Sequence, residues 1–361
     1  MNIAVLQSQI PHYREEFFRR LVRQSNCDLF IYQAPARGKG AGFHLGNISA
    51  KKIWSVEWKG FVIYDWISLF KKYDLLILPL HIGHLSTWLI LLLKFVIRKK
   101  VIVWGHGISV KRYLKEEVHP DWKIKLMIRL SDGVWTYMPK EAMQWQKSFP
   151  HKPITALYNT ISGAQEKVTY REKIKESDKD AIKKKFGIKQ PVICVFCARF
   201  EGEIRRTDLL EAVINKLSAT EYGFIIIGGG RNKPDFSIYS NVYDFGAVYD
   251  ENLKNELFSV ADIYFQPGWV GLSIVEAMAY GLPIFTFKRS PEIYQCVEYS
   301  YIRPGFNGYT FSDINDCVDK IKNTSIHQIR QMGMNAMNEV RLNLTVEKMA
   351  ERAISTLKKL Q

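Results

Sequence analysis

A turn between an apolar run and a helix contains residue types that bind phosphate. Ala261–Phe265 has the composition of a buried strand, and residues 273–280 have that of a helix. Gly268 and Gly271 lie between them, where glycine lets the backbone come close to a ligand. Because a helix start presents free N–H groups and the positive end of its dipole, this turn predicts an anion site.

Glu276 lies one turn into this helix, where its carboxylate can accept hydrogen bonds from sugar hydroxyls. Together with the N–H groups of Leu272 and Ser273, it predicts binding of a nucleoside diphosphate or of a nucleotide sugar. Turns of this kind also recur throughout α/β proteins, with a solvated acid in the first helical turn. Both interpretations are open on these residues alone.

The composition indicates a globular protein of two domains. The chain has 361 residues, of which 47% are hydrophobic and 24% charged. Cys194 and Cys197 would face opposite sides of a strand, which favours buried free thiols over a metal site. Met1 and Asn2 run directly into the apolar segment Ile3–Leu6, so no signal peptide is expected.

Positive charge is concentrated in the first half of the chain. Residues 1–165 contain 24 Lys and Arg against 11 Asp and Glu, a net charge of +13, whereas residues 166–361 contain 27 against 25. A one-sided positive field indicates an anionic partner: nucleic acid, a membrane surface or a phosphorylated substrate. No helix-turn-helix, zinc-finger or RNA-binding signature supports nucleic acid.

One apolar segment of the first half helps to choose between these partners. Residues 85–97 are strongly apolar and are followed by Arg98, Lys99 and Lys100. The segment is shorter than the ~20 residues that span a bilayer. A core helix between two strands is the favoured interpretation. The alternative is a helix on a membrane surface, with its basic end on anionic headgroups.

Strand-like and helix-like segments alternate along both halves of the chain. The predicted strands are 2–6, 29–33, 61–64, 75–80, 101–104, 133–137, 154–158, 192–198, 224–227, 263–266 and 284–287. The predicted helices are 13–24, 85–97, 121–130, 139–148, 207–217, 252–260, 273–280, 314–322, 326–342 and 346–360. This alternation predicts an α/β protein of two Rossmann-like, doubly wound domains that face each other across a cleft.

The domain boundaries follow from the composition. Residues 1–165 form the N-terminal domain, and residues 191–340 form the C-terminal domain. Residues 166–190 are charged and poor in apolar residues, which predicts a linker that leads into a helix capped by Ser177. Residues 341–361 are expected to pack toward the N-terminal domain.

The order and spacing of these segments resemble the glycosyltransferases of family 4, which have the GT-B fold. The resemblance covers nearly the whole chain. Ala198-Arg199-Phe200 followed by Arg205–Leu210 resembles the arginine–lysine pair of that family. The resemblance implies that Arg199 and Arg205 hold the diphosphate of the donor. Arg205 stands where lysine is usual, so a planar fork replaces a point charge.

Two further segments resemble the donor site of the family. Ile225–Gly230 resembles the strand and glycine turn near the nucleobase, which implies roles for Gly228 and Gly230. Phe245–Tyr249 is similar to the segment whose backbone contacts the base, which implicates Val248.

The turn described first is similar to the E-x7-E motif of the family. Val275–Pro283 resembles its second half, which implies that Glu276 binds the ribose hydroxyls. The first Glu of the motif, which contacts the donor sugar, is replaced by Gly268. A backbone N–H at Gly268 or Val270 could take its place, or the sugar could differ.

The first half contains the acceptor-side matches. Ile10–Phe18 resembles the loop beside the acceptor, and Trp104–Gly107 resembles the family's histidine near the donor sugar, here His106. The implied acceptor-side residues are His12, Tyr13 and Arg14. His106 could instead be satisfied by the backbone at a strand end, and Arg14 could be a solvated residue at a helix start.

The resemblance implies a retaining hexosyl- or deoxyhexosyltransferase that uses a nucleoside diphosphate sugar. The expected acceptor is a saccharide hydroxyl, lipid-linked, in cell-surface polysaccharide biosynthesis. No cofactor or metal is expected, because guanidinium and N–H groups can stabilise the leaving diphosphate and no Asp-x-Asp occurs. A cytoplasmic protein that is peripheral on the anionic inner face of the membrane is expected, with no nucleic-acid partner.

Two alternatives remain open. A GT-B sugar-nucleotide epimerase would use the same donor without an acceptor. A catalytically silent sugar-nucleotide-binding protein would explain Gly268.

Overall fold

The computed structural model describes residues 1–32, 49–96 and 98–360. The chain divides into two compact units. Unit 1 is Met1–Ser162 together with Thr345–Gln361, and unit 2 is Gly163–Leu344. Each unit is built on one parallel sheet with helices, so the predicted α/β class is confirmed.

Unit 1 alternates strands and helices along most of its length. Its strands are β1 (Ile3–Gln7), β2 (Asp28–Tyr32), β3 (Ala50–Ile53), β4 (Ser55–Trp58), β5 (Phe61–Tyr64), β6 (Leu75–Pro79), β7 (Lys100–Gly105), β8 (Gly133–Thr136) and β9 (Ile154–Ala156). Its helices before residue 162 are α1 (Glu15–Ser25), α2 (Trp66–Lys72), α3 (Leu85–Leu93), α4 (Tyr113–Val118), α5 (Trp122–Leu130) and α6 (Pro139–Ser148).

The sheet of unit 1 is parallel and has the strand order β3-β2-β1-β6-β7-β8-β9. Successive side chains of a strand point to opposite faces, so each strand contributes to two cores. In β1, Ile3 and Val5 belong to one hydrophobic cluster, while Ala4 and Leu6 belong to the other. Helices therefore cover both faces of the sheet.

The predicted strand 61–64 lies outside this sheet. It is β5, which pairs antiparallel with β4 in a separate hairpin. Lys59 and Gly60 form the turn of the hairpin with positive φ, the backbone twist that a tight hairpin needs. Because β4 was not predicted, the sequence pattern did not reveal the hairpin.

Unit 2 repeats the alternation. Its strands are β10 (Val192–Cys197), β11 (Tyr222–Ile227), β12 (Val242–Asp244), β13 (Ile263–Phe265), β14 (Ile284–Phe287) and β15 (Gly308–Phe311). Its helices are α7 (Ala164–Lys173), α8 (Glu176–Lys185), α9 (Thr207–Lys216), α10 (Glu251–Ser259), α11 (Ser273–Ala279), α12 (Ile314–Asn323) and α13 (Ile326–Asn343).

The sheet of unit 2 is also parallel, with the strand order β12-β11-β10-β13-β14-β15. The chain winds outward from β10 in one direction and then returns to start at β13 in the other. In a sheet of this kind, a crevice opens at the carboxyl ends of the two central strands. The ends of β10 and β13 are therefore where a ligand is expected.

The expected linker, residues 166–190, is helical instead. It contains most of α7 and all of α8, and both helices belong to unit 2. The cap of α8 is at Lys175, whose backbone N–H donates to Asp178, rather than at Ser177. The helix α7 has few apolar residues, but Ala164 and Val168 are buried. A few buried side chains at helical spacing are thus sufficient to fix it.

The predicted helix 85–97 is shorter than expected. It is α3, which ends at Leu93, and residue 97 lies outside the described residues. Lys94 is buried at its end and forms an ion pair of 2.7 Å with Asp132. One face of α3 packs in the core, whereas Leu89 and Leu92 are exposed. Among the described helices, none is long and apolar enough to span a bilayer.

The last helix, α14 (Val346–Leu360), completes the core of unit 1. Met349, Ala353 and Leu357 are buried beside the side chains of α1. Arg20 of α1 also forms an ion pair with Glu347. The chain therefore returns to unit 1 after it has completed unit 2.

Leu357→Ala should lower the free energy of unfolding by about 2–5 kcal/mol, because it leaves a cavity between α14 and the sheet. Urea unfolding followed by circular dichroism measures the change. Ser355→Ala, at an exposed position of the same helix, is the control and should change little. Equal stability of the two variants would contradict the packing of α14.

Candidate active site

The residues predicted to bind the donor follow the two central strands of unit 2. Arg199 comes after β10, and Gly268 comes after β13. A short 3-10 helix, Glu203–Arg205, follows Arg199 and leads into α9. The switch in strand order therefore places these residues at the same edge of the sheet, where an open α/β sheet binds its ligands.

Arg205 is held against the turn that follows β13. Its Nη1 donates to the carbonyl oxygen of Trp269 at 3.0 Å, and the N–H of Trp269 donates to Ile204 at 2.8 Å. Burial lowers the pKa of Arg205, and the like charge of nearby Arg199 lowers it further. The buried Nε of Arg205 has no acceptor among the described residues. The guanidinium is thus half-buried, and one of its N–H groups has no protein acceptor.

Glu276 lies between two lysines that the sequence analysis missed. Its carboxylate forms ion pairs with Lys254 at 2.8 Å and with Lys167 at 3.4 Å. Lys167 also pairs with Glu251 at 2.8 Å. Lys254 belongs to a predicted helix and Lys167 to the expected linker. Nothing in their local pattern distinguishes them from solvated lysines, so only the tertiary structure reveals the cluster.

Cys197 lies near both Arg205 and Glu276. Burial raises the pKa of its thiol to about 12, and the charges of Lys254, Glu276 and Arg205 act on it as well. The hydroxyl of Tyr264 donates to the backbone carbonyl of Cys197 at 3.1 Å. Arg205 and Glu276 therefore lie around the same buried end of β10, and the structure brings these two predicted residues together.

Gly268 is fixed by a close approach of two backbone segments. A Cβ at this position would lie 2.6 Å from the carbonyl oxygen of Arg205 and closer still to that of Ile204. Contacts between a Cβ and backbone atoms at such distances do not occur in proteins, and backbone cannot move aside cheaply. The glutamate that the family has at this position is therefore excluded by the loop that holds Arg205.

One proposed replacement for that glutamate is also excluded. The N–H of Val270 donates to Gln295 at 2.7 Å, and Gln295 is fully buried, so this N–H is not available to a sugar. By contrast, the N–H groups of Gly268, Gly271 and Leu272 have no acceptor within the described ranges. Ser273 begins α11.

The glycine turn after β11 has a structural reason for its composition. Gly228 has a φ of 153°, and a Cβ there would collide with the carbonyl oxygen of Ala198. A Cβ at Gly230 would likewise collide with the backbone of Phe200. The N–H of Gly228 donates to Gly246 at 2.7 Å, which brings the turn beside the half-buried Val248 segment. The two glycines let strands pass closely, and base contact by them stays a prediction.

In unit 1, the predicted residues His106 and Arg14 both contact Tyr137. His106 packs edge-on against Tyr137, with 4.9 Å between ring centroids. Arg14 donates to the hydroxyl of Tyr137 at 3.1 Å and to Asn159 at 2.8 Å. Arg14 is only 8% exposed, so it is not a solvated residue, and its contacts favour a structural role over acceptor binding. His12 is exposed.

The Ile10–Phe18 loop is anchored by its backbone. The carbonyl oxygen of Tyr13 accepts hydrogen bonds from the N–H of Ser162 at 2.8 Å and from its hydroxyl at 2.9 Å. His12 packs edge-on against the ring of Tyr13, with 5.7 Å between ring centroids. The loop is therefore positioned, and direct contact of His12 or Tyr13 with an acceptor stays a prediction.

A cavity of about 550 Å³ opens at the carboxyl ends of β6 and β7 in unit 1. His106 lines it from β7, and His81 lines it from β6. Lys59 and Lys123 add positive charge to its wall. Glu116 also lines it, but this carboxylate accepts hydrogen bonds from the N–H of Ser109 and from Arg112. The cavity is therefore basic and suits an anionic ligand.

Within the described parts of the chain, no cluster of three or more His, Cys, Asp or Glu side chains could hold a metal ion. Cys194 and Cys197 are free thiols, as is Cys296.

Gly268→Ala should lower the free energy of unfolding by about 1–3 kcal/mol, because the new methyl group forces the loop at Arg205 away. Gly271→Ala is the matched control, since a Cβ there meets nothing closer than 3.4 Å. Urea unfolding of both variants measures the difference. A Gly268→Ala protein that is as stable as Gly271→Ala would refute the close approach.

Comparison with known proteins agrees with this geometry. A family model described as "Glycosyl transferases group 1" matches residues 191–325, which include the ends of β10 and β13. No curated protein sequence matches the chain.

Solved structures share the fold over nearly the whole chain. The Anabaena HepE structure, in complex with UDP and glucose, is 13% identical, with a TM-score of 0.65 and coverage of 99% of both chains. The lipopolysaccharide outer core galactosyltransferase WaaB is 15% identical, with a TM-score of 0.67 and full coverage of both chains. WaaG, a glycosyltransferase involved in lipopolysaccharide biosynthesis, is 14% identical, with a TM-score of 0.56. The match covers 97% of this chain and 98% of the WaaG chain.

The resemblance stated from the sequence is thereby confirmed. Residues 191–325 match the model of the glycosyl transferases of group 1, and the chain has the GT-B fold.

Proposed function

We propose that the protein transfers a sugar from a nucleoside diphosphate sugar to a hydroxyl of an acceptor. The observation that supports this most is the meeting of Arg205 and Glu276 at the switch point of unit 2. A guanidinium with an unpaired N–H group suits a diphosphate, and a partly exposed carboxylate suits the two hydroxyls of a ribose. The match of residues 191–325 to a glycosyl transferase family model agrees with this assignment.

The charges of the site suit a departing diphosphate. Arg205, Lys254 and Lys167 provide three positive charges, against two carboxylates, Glu251 and Glu276. The surplus would neutralise the negative charge that grows on the leaving group. Fixed charges in a water-poor site lower such a barrier strongly, because they need no reorganisation. We therefore propose a reaction that needs neither a metal nor a cofactor.

The donor is proposed to be a uridine diphosphate hexose or deoxyhexose. HepE, which shares the fold, was solved with UDP and glucose. The amides of Gly271 and Leu272 and the guanidinium of Arg205 would contact its phosphates, and Glu276 its ribose. Gly268 leaves the donor sugar without the glutamate of the family, so the amide of Gly268 itself would face the sugar. Retention of the anomeric configuration follows from the family resemblance.

The acceptor is proposed to bind in the basic cavity of unit 1. His106 lies in its wall, at the end of β7, and Lys59 and Lys123 would attract a phosphate. A saccharide linked to a lipid through phosphate meets these requirements. The related fold of WaaB belongs to a lipopolysaccharide galactosyltransferase, which fits a role in cell-surface polysaccharide biosynthesis. The protein would then work at the cytoplasmic face of an anionic membrane.

A donor that binds only the native state should raise the melting temperature by mass action. At a concentration of one hundred times Kd, the stabilisation is about 2.7 kcal/mol. A thermal-shift series with nucleoside diphosphate sugars should therefore identify the donor. Arg205→Ala and Glu276→Ala should abolish the shift.

Lys322→Ala is the control for the thermal shift, because Lys322 is an exposed lysine of α12 in the same unit. Its response to the donor should equal that of the wild type. A full shift in Arg205→Ala and Glu276→Ala would rule out this donor site.

His106→Ala should retain most of the donor-induced shift, because the proposed contacts to the diphosphate and the ribose belong to unit 2. Transfer to the acceptor should fall by about tenfold or more, since the residue would act beside the reacting sugar. Product analysis with a membrane-extracted acceptor pool measures transfer. His119→Ala, at an exposed histidine of the same unit, is the control. Unchanged transfer by His106→Ala would remove this residue from the mechanism.

A further inference from the structure

The helix α3 has apolar residues on its exposed side, although Ile90 and Leu91 already face the core. Ser86 and Thr87 are fully buried, and Lys94 is buried at the end of the helix. Leu89 and Leu92 are exposed, the latter by 57%. A surface helix of a water-soluble protein normally exposes charged and polar residues instead. The exposed side of α3 is thus built for an apolar surrounding.

The hairpin β4–β5 has the same property on its outer side. Val56 lies opposite Ile63, and Trp58 lies opposite Phe61, so these four residues share one side of the hairpin. All four are exposed, while Val62 on the other side of β5 is buried. One entire side of this hairpin is therefore apolar and uncovered.

The two apolar surfaces are neighbours. The hydroxyl of Ser86 in α3 accepts from the N–H of Tyr64 and donates to its carbonyl oxygen, both at 2.9 Å. The start of α3 therefore satisfies backbone groups of β5 on the edge that does not pair with β4. Tyr64 and Thr87 face the same core and share a hydrogen bond of 2.8 Å. Because their inner sides face one core, the outer sides of hairpin and helix lie next to each other.

We name the exposed apolar side chains of these two elements and of the residues next to them the docking face. It comprises Trp54, Val56, Trp58, Phe61, Ile63, Leu85, Leu89, Leu92, Leu93, Phe95 and Val96.

Two tryptophan–lysine pairs flank the cavity of unit 1. The ammonium group of Lys59 lies 4.9 Å from the ring centroid of Trp58, and that of Lys123 lies 5.7 Å from that of Trp122. Both lysines line the cavity, while Trp58 and Trp122 are 65% and 68% exposed. Trp next to Lys is typical of residues at the boundary between lipid and water. The mouth of the cavity therefore has the composition of a membrane interface.

The charge around the docking face selects among possible occupants. Lys71, Lys72 and Arg98 are exposed on the elements that border it, and residues 1–165 have a net charge of +13. Two copies of such a surface would repel each other, because like charges would face across the interface. An anionic bilayer offers both an apolar layer and the opposite charge.

We propose that the docking face rests on an anionic lipid bilayer, with Trp58 and Trp122 at the headgroup level. This positions the mouth of the cavity against the headgroups. A lipid-linked acceptor then keeps its chains in the bilayer while its phosphate and saccharide enter the cavity, a consequence that rests on the proposed transferase function. The docking itself stands on the residues of unit 1 alone.

Flotation with lipid vesicles tests the proposal on the full chain. Vesicles of phosphatidylcholine with about one third phosphatidylglycerol supply the negative charge, and phosphatidylcholine vesicles lack it. The wild type should float with the anionic vesicles at low salt. The double variant Trp58→Ser/Trp122→Ser should lose about tenfold or more of its binding, because two apolar contacts with the bilayer are removed.

Ile238→Ser is the matched control, since Ile238 is 71% exposed but belongs to unit 2. It should float like the wild type. Wild-type flotation by the double variant would overturn the proposal, as would equal binding to uncharged vesicles. A dimer that the double variant disrupts, without vesicle binding by the wild type, would also overturn it in favour of a second copy.

The donor-induced thermal shift separates this proposal from the proposed function. Both tryptophans lie in unit 1 and outside the donor site, so the double variant should keep the shift. A wild-type protein that floats but responds to no donor would sink the transferase assignment and leave the docking face in place.

Discussion

The candidate site of unit 2 depends on the contact between two backbone segments, Ile204–Arg205 and the turn at Gly268. Two hydrogen bonds and the lack of a side chain at Gly268 hold these segments together. The contact positions a half-buried guanidinium above the end of β13. It also excludes the acidic side chain that related enzymes have at this position. One constraint thus accounts for both the positive charge of the site and its departure from the family motif.

The charge cluster around Glu276 complements this contact. Lys254 and Lys167 fix the carboxylate from two sides, and Arg205 lies on the other side of Cys197. Partly buried charges are tolerated when they are paired, and the two lysines meet this requirement for Glu276. A ligand that brings both a diphosphate and hydroxyl groups would satisfy the arginine and the glutamate together. Unit 1 differs, because its unusual feature is the set of apolar side chains that α3 and the hairpin β4–β5 leave exposed.

Much of the fold was predictable because its signals are local. The helix 139–148 begins with a proline at its first turn, and α14 has a strong apolar periodicity, so both were predicted with the observed bounds. The short strands β12 and β15 were missed, because three or four residues offer too little pattern. The helix α7 was missed since its few buried apolar residues pack against α10, α11 and α13, which follow much later in the chain.

The site was predictable in part for a similar reason. Arg205 and Glu276 follow strands in a fixed spacing, so the switch point of a parallel sheet brings them together. Lys167 and Lys254 have no local signal, because their partner Glu276 is far away in the chain. The N–H of Val270 is unavailable to a sugar because it donates to Gln295, a residue that only folding brings beside it.

A crystal structure of the protein with UDP tests the central claim most directly. The account predicts electron density for the diphosphate against Arg199, Arg205 and the amides of Gly271 and Leu272, with the ribose hydroxyls on Glu276. Density for UDP elsewhere, with Glu276 still bound only to Lys167 and Lys254, would contradict it.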